Sequence, residues 1–130
     1  MSESMLKSAR QRSEELEARV AHSAADAIEI CEALPKRIGS EHLRDQLFRS
    51  ATSVAANYAE ASVPESKKDF AHKLNIAPKE LVESRMWLRI IAIKGYVDQT
   101  LLEPLFQEAD ELTRIFHASI MTARKHIASE

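Results

Sequence analysis

Four long stretches of this sequence carry an apolar residue at every third or fourth position, and both glycines fall between them. That spacing keeps apolar side chains on one face of an α-helix, whereas a half-buried strand alternates apolar and polar residues. The stretches predict helices over residues of about 3–34, 41–61, 67–94 and 99–126. Short connections between long helices make consecutive helices antiparallel neighbours. The sequence therefore predicts an all-α fold, a single antiparallel up-down-up-down four-helix bundle over residues 1–130.

The third stretch has the most regular apolar repeat, with intervals of four and three along its whole length. Its members are Phe70, Leu74, Ala77, Leu81, Ser84, Leu88 and Ile91. Helices pack in bundles with this repeat. Pro78 lies inside it, and a proline removes one backbone hydrogen bond. Because the repeat continues on both sides of Pro78, we expect a kink near Ala77 rather than the end of the helix.

Proline, glycine and short polar residues predict where the helices begin and end. Pro35 ends the first helix, because the residue before a proline avoids helical geometry. Gly95 is the predicted C-terminal cap of the third helix. The predicted N-caps of the second, third and fourth helices are Ser40, Ser66 (in a capping box with Asp69) and Asp98.

Charge is distributed unevenly along the chain, although the formal net charge is only −2. Residues 66–97 contain seven Lys and Arg against three Asp and Glu, while residues 1–34 and 98–130 are both acidic. The negative net charge of the chain argues against a protein whose whole surface binds nucleic acid. The basic segment suits pairing within the bundle, contact with a neighbouring subunit, or a local nucleic-acid patch.

The sequence shows no signal for a membrane or for export. No window approaches the roughly 18 consecutive apolar residues of a membrane span, and the N-terminal residues have no apolar core of signal-peptide length. We therefore expect a cytoplasmic protein without a membrane partner. The single cysteine, Cys31, lies in the apolar series of the first helix. We expect it in the core, with a reactive thiol as the alternative.

The sequence offers little for catalysis, so we expect no enzyme activity, no cofactor and no metal. A phosphate loop needs several closely spaced glycines, and Gly39 and Gly95 are far apart. A di-metal bundle site needs repeated Glu-x-x-His pairs, and we interpret the single Asp69-x-x-His72 as solvated. A Ser-His-Asp site also needs free backbone amides for an oxyanion hole, which continuous helices offer only at their ends.

Two sets of polar residues remain as candidates for binding or assembly. The first, on the second and third helices, is Arg49, Asn57, Glu60 and Glu83. We interpret it as a network or interface that fixes helix register, with an Arg49–Glu83 pair; a ligand or nucleic-acid contact is the alternative. The second set is basic and comprises Lys67, Lys68, Lys73, Lys79, Arg85 and Arg89, with Trp87 nearby. It is either a solvated face that complements the acidic helices of a neighbouring copy or a patch for single-stranded nucleic acid.

The middle of the chain carries a pattern that resembles a known family. The pattern consists of Arg49, Ser53, Val54, Asn57, Ala59 and Glu60, then Ser66 to Phe70, then Ile76, Ala77, Leu81 and Glu83. It is similar to that of the 23S ribosomal RNA intervening-sequence proteins, although Ala61 stands where the family usually has glycine. The resemblance implies a small bacterial cytosolic four-helix bundle that assembles as a homopentamer, and it implies no established activity.

These observations together predict a non-enzymatic, homo-oligomeric scaffold or interaction protein. The alternative is a nucleic-acid-associated accessory protein that binds RNA or DNA through the basic third helix. A related branch, the accessory proteins of diversity-generating retroelements, resembles the same bundle used as a basic partner of nucleic acid. The net charge of −2 fits that branch poorly.

Overall fold

The computed structural model describes residues 8–61 and 67–129, except for the side chains of Lys67 and His126. Within these residues the chain forms four α-helices and no strand. They are α1 (Ala9–Ala33), α2 (Ile38–Ala61), α3 (Lys67–Lys94) and α4 (Gln99–Ala128). None of these helices combines the length and the apolar character that crossing a bilayer requires.

Each helix packs against the next one along the chain, and α1 also packs against α4 to close the bundle. In the described part of the chain, the backbones of the diagonal pairs, α1 with α3 and α2 with α4, do not approach each other closely. Their side chains meet in the core, where the rings of Tyr58 (α2) and Phe116 (α4) have centroids 5.8 Å apart. The helices therefore occupy the corners of a square, with antiparallel neighbours along its sides. The predicted all-α, up-down-up-down fold class is confirmed.

The core is filled by the inward apolar stripes of the four helices. The predicted α3 repeat is buried from Leu74 to Ile91, and half-buried Phe70 packs against the same cluster. Phe116 of α4 is the largest of the fully buried side chains. Burying a Leu or Phe side chain contributes roughly 1.5–3 kcal/mol. Packing of these stripes, more than helix propensity, therefore stabilises the fold.

The ends of α1 are set by a polar cap and by a proline. Ser8 and Gln11 form a capping box, in which Ser8 Oγ accepts from the Gln11 amide at 3.1 Å and Gln11 Oε1 accepts from the Ser8 amide at 2.8 Å. The helix ends at Ala33, two residues before Pro35, as predicted. The predicted helical residues 3–7 lie outside the described residues.

The start of α2 differs from the prediction. The helix begins at Ile38, so Ser40 lies in its first turn and is not the N-cap. The Glu41 amide donates to the Arg37 carbonyl oxygen at 3.0 Å, which places the cap at Arg37. The reason lies in burial: Ser40 is fully buried, and its hydroxyl has no hydrogen-bond partner among the described residues. A side chain held in the core is not free to turn back onto the first-turn amides.

The predicted caps between α3 and α4 are confirmed. Gly95 has a positive φ of 66°, and the Tyr96 amide donates to the Ile91 carbonyl oxygen at 3.3 Å, closing α3 with a Schellman-type turn. Asp98 Oδ1 accepts from the Thr100 amide at 2.9 Å, and this bond lowers the pKa of the Asp98 carboxyl. The predicted Ser66 capping box lies outside the described residues.

Two prolines lie inside helices. α3 runs without interruption through Pro78, as the sequence predicted, and Pro104 lies within α4. Pro78 is itself buried. The helix continues because the apolar repeat on both sides of Pro78 is packed in the core. The kink at Ala77 stays a prediction.

Candidate functional site

Arg49 joins α2 to α3 on the surface of the bundle. Its guanidinium contacts the carboxylate of Glu83, lies 3.3 Å from Glu80 Oε2, and also donates to Gln46 Oε1 at 3.4 Å. The structure thus brings Arg49 and Glu83 together, as the sequence analysis expected. Both side chains keep substantial exposure, 45% for Arg49 and 39% for Glu83. Exposed ion pairs contribute only about 0–1 kcal/mol, so this group positions the helices more than it stabilises them.

Glu83 extends this polar group along α3. Trp87 Nε1 donates to Glu83 Oε2 at 3.3 Å, and the Trp87 ring meets the His42 ring edge-on with centroids 5.9 Å apart. We call the surface formed by Gln46, Arg49, Glu83, Trp87 and His42 the α2–α3 face. The sequence places Trp87 near the basic residues of the possible nucleic-acid patch. The spacing of four from Glu83 was the signal for the bond that the structure shows.

The other two members of the predicted polar set lie apart from Arg49. Asn57 Nδ2 donates to the Ser53 carbonyl oxygen at 2.8 Å, one turn back on its own helix. Glu60 is exposed near the C-terminal end of α2. Eight residues separate Arg49 from Asn57, about 12 Å along a helix axis, which exceeds the span of a direct contact. Among the four predicted residues, the structure therefore connects Arg49 and Glu83.

A buried pair of serines supplies the polar contact between α2 and α3 that sequence reasoning missed. Ser84 Oγ donates to Ser50 Oγ at 2.8 Å, and Ser50 Oγ donates to the Leu47 carbonyl oxygen at 3.4 Å. Ser50 is 0% exposed and Ser84 6% exposed. Because Ser84 Oγ reaches Ser50 Oγ only in this alignment, the bond favours one register of the two helices.

Two of the predicted basic residues form ion pairs with neighbouring carboxylates. Arg85 Nε donates to Asp110 Oδ1 of α4 at 2.8 Å, and its guanidinium lies 5.3 Å from the centroid of the Phe106 ring. Lys73 Nζ lies 3.6 Å from Asp69 Oδ2 on the preceding turn. Arg85 therefore joins α3 to α4, whereas the Lys73–Asp69 pair lies within α3.

The remaining basic residues with described side chains, Lys68, Lys79 and Arg89, are exposed on α3. Their spacing on a helix of 3.6 residues per turn points them away from the core stripe and from Lys73, while Arg89 lies one turn beyond Arg85. The Lys67 side chain lies outside the described residues. The six predicted cations therefore do not form one continuous surface in the described part of the chain.

The outward side of α3 also carries apolar residues, which sequence reasoning missed. Val82, Met86 and Ile93 are 62%, 53% and 76% exposed, respectively. Together with Lys79 and Arg89 they follow intervals of three, four, three and four. We call these five residues the α3 row. The signal was present in the sequence, but the stronger inward repeat of the same helix masked it.

The surface of the described residues carries several grooves. One of about 410 Å³ opens at one end of the bundle and is lined by all four helices, among them Leu16, Tyr58, Phe70 and Ile115. Its hydroxyls bond to each other, with Ser13 Oγ 3.1 Å from the Tyr58 hydroxyl. Among the described residues, no cluster of His, Cys, Asp and Glu is arranged to hold a metal ion.

Cys31 lies in the core, where the sequence analysis expected it. It is 3% exposed, and its Sγ lies 3.5 Å from the Arg44 carbonyl oxygen. Burial raises the pKa of the Cys31 thiol, which reduces the thiolate fraction at neutral pH. The environment is that of a structural cysteine.

Comparisons with known proteins agree on one family. The family model described as 23S rRNA-intervening sequence protein matches residues 8–118. A crystal structure of a protein with unknown function from the S23 ribosomal protein family of Bacteroides thetaiotaomicron is 27% identical, with a TM-score of 0.75. The match covers 81% of this chain and 97% of that one. None of the curated proteins compared matches this chain.

Proposed function

The chain belongs to the 23S rRNA-intervening sequence protein family, and on that premise we propose that it acts as a non-enzymatic, homo-oligomeric helical scaffold. The observation that carries the proposal is the α3 row. A single copy leaves Val82, Met86 and Ile93 largely in water on one side of one helix. Apolar residues aligned in this way mark an interaction surface more often than scattered ones do.

The spacing of the α3 row supports a helix as its partner. Intervals of three and four are those with which one helix packs against another. A stable interface between proteins buries roughly 800 Å² on each partner, so the row requires flanking residues of the neighbour as well. Burial of the row in an assembly recovers roughly 25 cal/mol for each Å² of apolar surface removed from water.

The bonding on the α2–α3 face supports a scaffold rather than an enzyme. Arg49 is held by Gln46, Glu80 and Glu83, and Glu83 also accepts from Trp87. Side chains that bond to one another stiffen the bundle, and they have few donors and acceptors left to bind a substrate. A rigid bundle is the property that a scaffold needs.

The test is the native mass of the full chain. We expect wild-type protein to run at a multiple of 14.6 kDa, five copies if the family resemblance holds in this detail. Met86→Glu places a carboxylate in the α3 row and should release monomers. Met121→Glu is the matched control, because Met121 is similarly exposed, at 61%, on α4. A monomeric wild type, or equal effects of the two variants, would overturn the proposal.

The second candidate function is nucleic-acid binding through α3. The observation that favours it is the exposure of Lys68, Lys79 and Arg89 on one helix. Titration with single-stranded RNA and DNA at two salt concentrations tests it, because phosphate binding weakens steeply with salt. Lys79→Gln and Arg89→Gln should each reduce the salt dependence if the cations contact phosphates. Binding that is absent, or independent of salt, would remove this candidate.

A further inference from the structure

The outward side of α1 has the same spacing as the α3 row. Ala18, Ala21, Ala25, Ile28 and Glu32 follow intervals of three, four, three and four, and we call them the α1 row. All but half-buried Ile28 are exposed. Exposed carboxylates stand beside this row, at Glu17 and Glu29.

The two rows are complementary in size and in charge. The α3 row presents the large side chains of Val82, Met86 and Ile93 together with two cations. The α1 row presents three alanines, which let a second helix approach closely, within an acidic surface. Facing large against small residues is the arrangement in which helices interdigitate. Opposite charges around the contact favour this pairing over alternatives.

A groove beside the α1 row adds space for a large apolar side chain. It has a volume of about 380 Å³ and lies between α1 and α2, where Ile28 and Glu32 of the α1 row line it. Phe48 forms part of its wall and is 49% exposed. A methionine or isoleucine entering from a neighbouring helix would cover both Ile28 and Phe48.

We propose that the α3 row of one copy packs on the α1 row of the next copy. This inference rests on the proposed function and names the surface that the α3 row binds. A contact between two α3 rows is disfavoured, because it would place two cations from each copy, Lys79 and Arg89, in one interface. The charges of the two rows, basic on α3 and acidic around α1, make a second copy of this chain the partner.

The position of the rows determines the kind of assembly. α1 and α3 occupy diagonal corners of the bundle, and their backbones do not approach each other closely within the described residues. Each copy therefore presents one row of each kind in different directions. Such a head-to-tail contact extends from copy to copy and ends only when a ring closes.

Two variants, each damaging one row, test the inference. Met86→Glu introduces a carboxylate that faces the acidic surroundings of the α1 row. Ala25→Arg places a bulky cation on the α1 row, where it would face Lys79 and Arg89. The matched controls are Met121→Glu and Ala118→Arg, which change exposed residues of α4. Circular dichroism and thermal melts establish that all four variants are folded.

At a concentration where wild type is assembled, we expect each row variant alone to be a monomer of about 14.6 kDa and both controls to stay assembled. An equimolar mixture of the two row variants should associate, because one brings an intact α1 row and the other an intact α3 row. If Ala25→Arg assembles like wild type, the inference fails while the scaffold stands. If the mixture of folded variants stays monomeric, the inference is likewise overturned. If wild type itself is monomeric, the proposed function fails too.

Discussion

The buried Ser50–Ser84 contact leads to a prediction about the register of α2 and α3. Ser84→Ala removes the donor to Ser50 Oγ, and Ser50 keeps its bond to the Leu47 carbonyl oxygen. One lost intramolecular hydrogen bond costs about 0.5–1.5 kcal/mol. Ser50→Ala instead leaves the Ser84 hydroxyl buried without its acceptor, at a cost of about 1–3 kcal/mol. We therefore expect Ser50→Ala to be the more destabilising of the two.

The double variant separates this explanation from simple loss of packing. Replacing both hydroxyls leaves neither group unsatisfied, so the double variant should cost less than the sum of the single variants. Urea unfolding followed by circular dichroism, at one fixed protein concentration, measures the three free energies of unfolding. Ser119→Ala is the control, because the Ser119 hydroxyl bonds one turn back on its own helix, to the Ile115 carbonyl oxygen at 3.1 Å. Additive effects, or a Ser50→Ala variant as stable as wild type, would refute the reasoning.

Three further outcomes follow from the structure. Arg49→Ala should lower the free energy of unfolding by about 0.5–1 kcal/mol in low salt and less in high salt, because it pairs at the surface with the partly exposed carboxylates of Glu80 and Glu83. An unchanged melting temperature and an unchanged oligomer mass would contradict this. Asp98→Ala should destabilise the fold at neutral pH. Since the folded pKa of Asp98 lies below its ordinary value of 3.8, the difference from wild type should decrease as the pH falls below 3.8 and through the lower folded pKa. Urea midpoints measured from neutral to acidic pH test it. Cys31 should react with a thiol reagent only in denaturant, since it is 3% exposed and its thiol pKa is raised; rapid labelling of native protein would oppose that.

Residues that act within one helix were readily predicted from the sequence. The inward repeat from Leu74 to Ile91, the Gly95 turn and the Asp98 cap depend on neighbours only a few positions away, so spacing and residue type were sufficient. Ser40 shows the limit of such reasoning. Serine is a common N-cap residue, but whether Ser40 is buried depends on how α2 packs against the rest of the bundle.

Contacts between helices were predicted only where charge suggested the partner. Arg49 and Glu83 are an obvious pair, and the structure joins them. Ser50 and Ser84 carry no such signal, because a serine destined for the core looks like a solvated one until the register of the two helices is known. The direction in which Asn57 bonds was equally open, since an amide can choose between its own backbone and a neighbouring helix.

The two repeats of α3 divide its residues between folding and assembly. Leu81 and Leu88 point inward, so replacing them creates cavities and lowers stability in any oligomeric state. Val82 directly follows Leu81, and Met86 lies two residues before Leu88. Both nevertheless point outward and add little to the stability of one copy. Selection for stability alone would place polar residues at these outward positions, because exposed apolar rows promote association. Their presence is therefore the physical reason for seeking the function of this chain on the outside of α3.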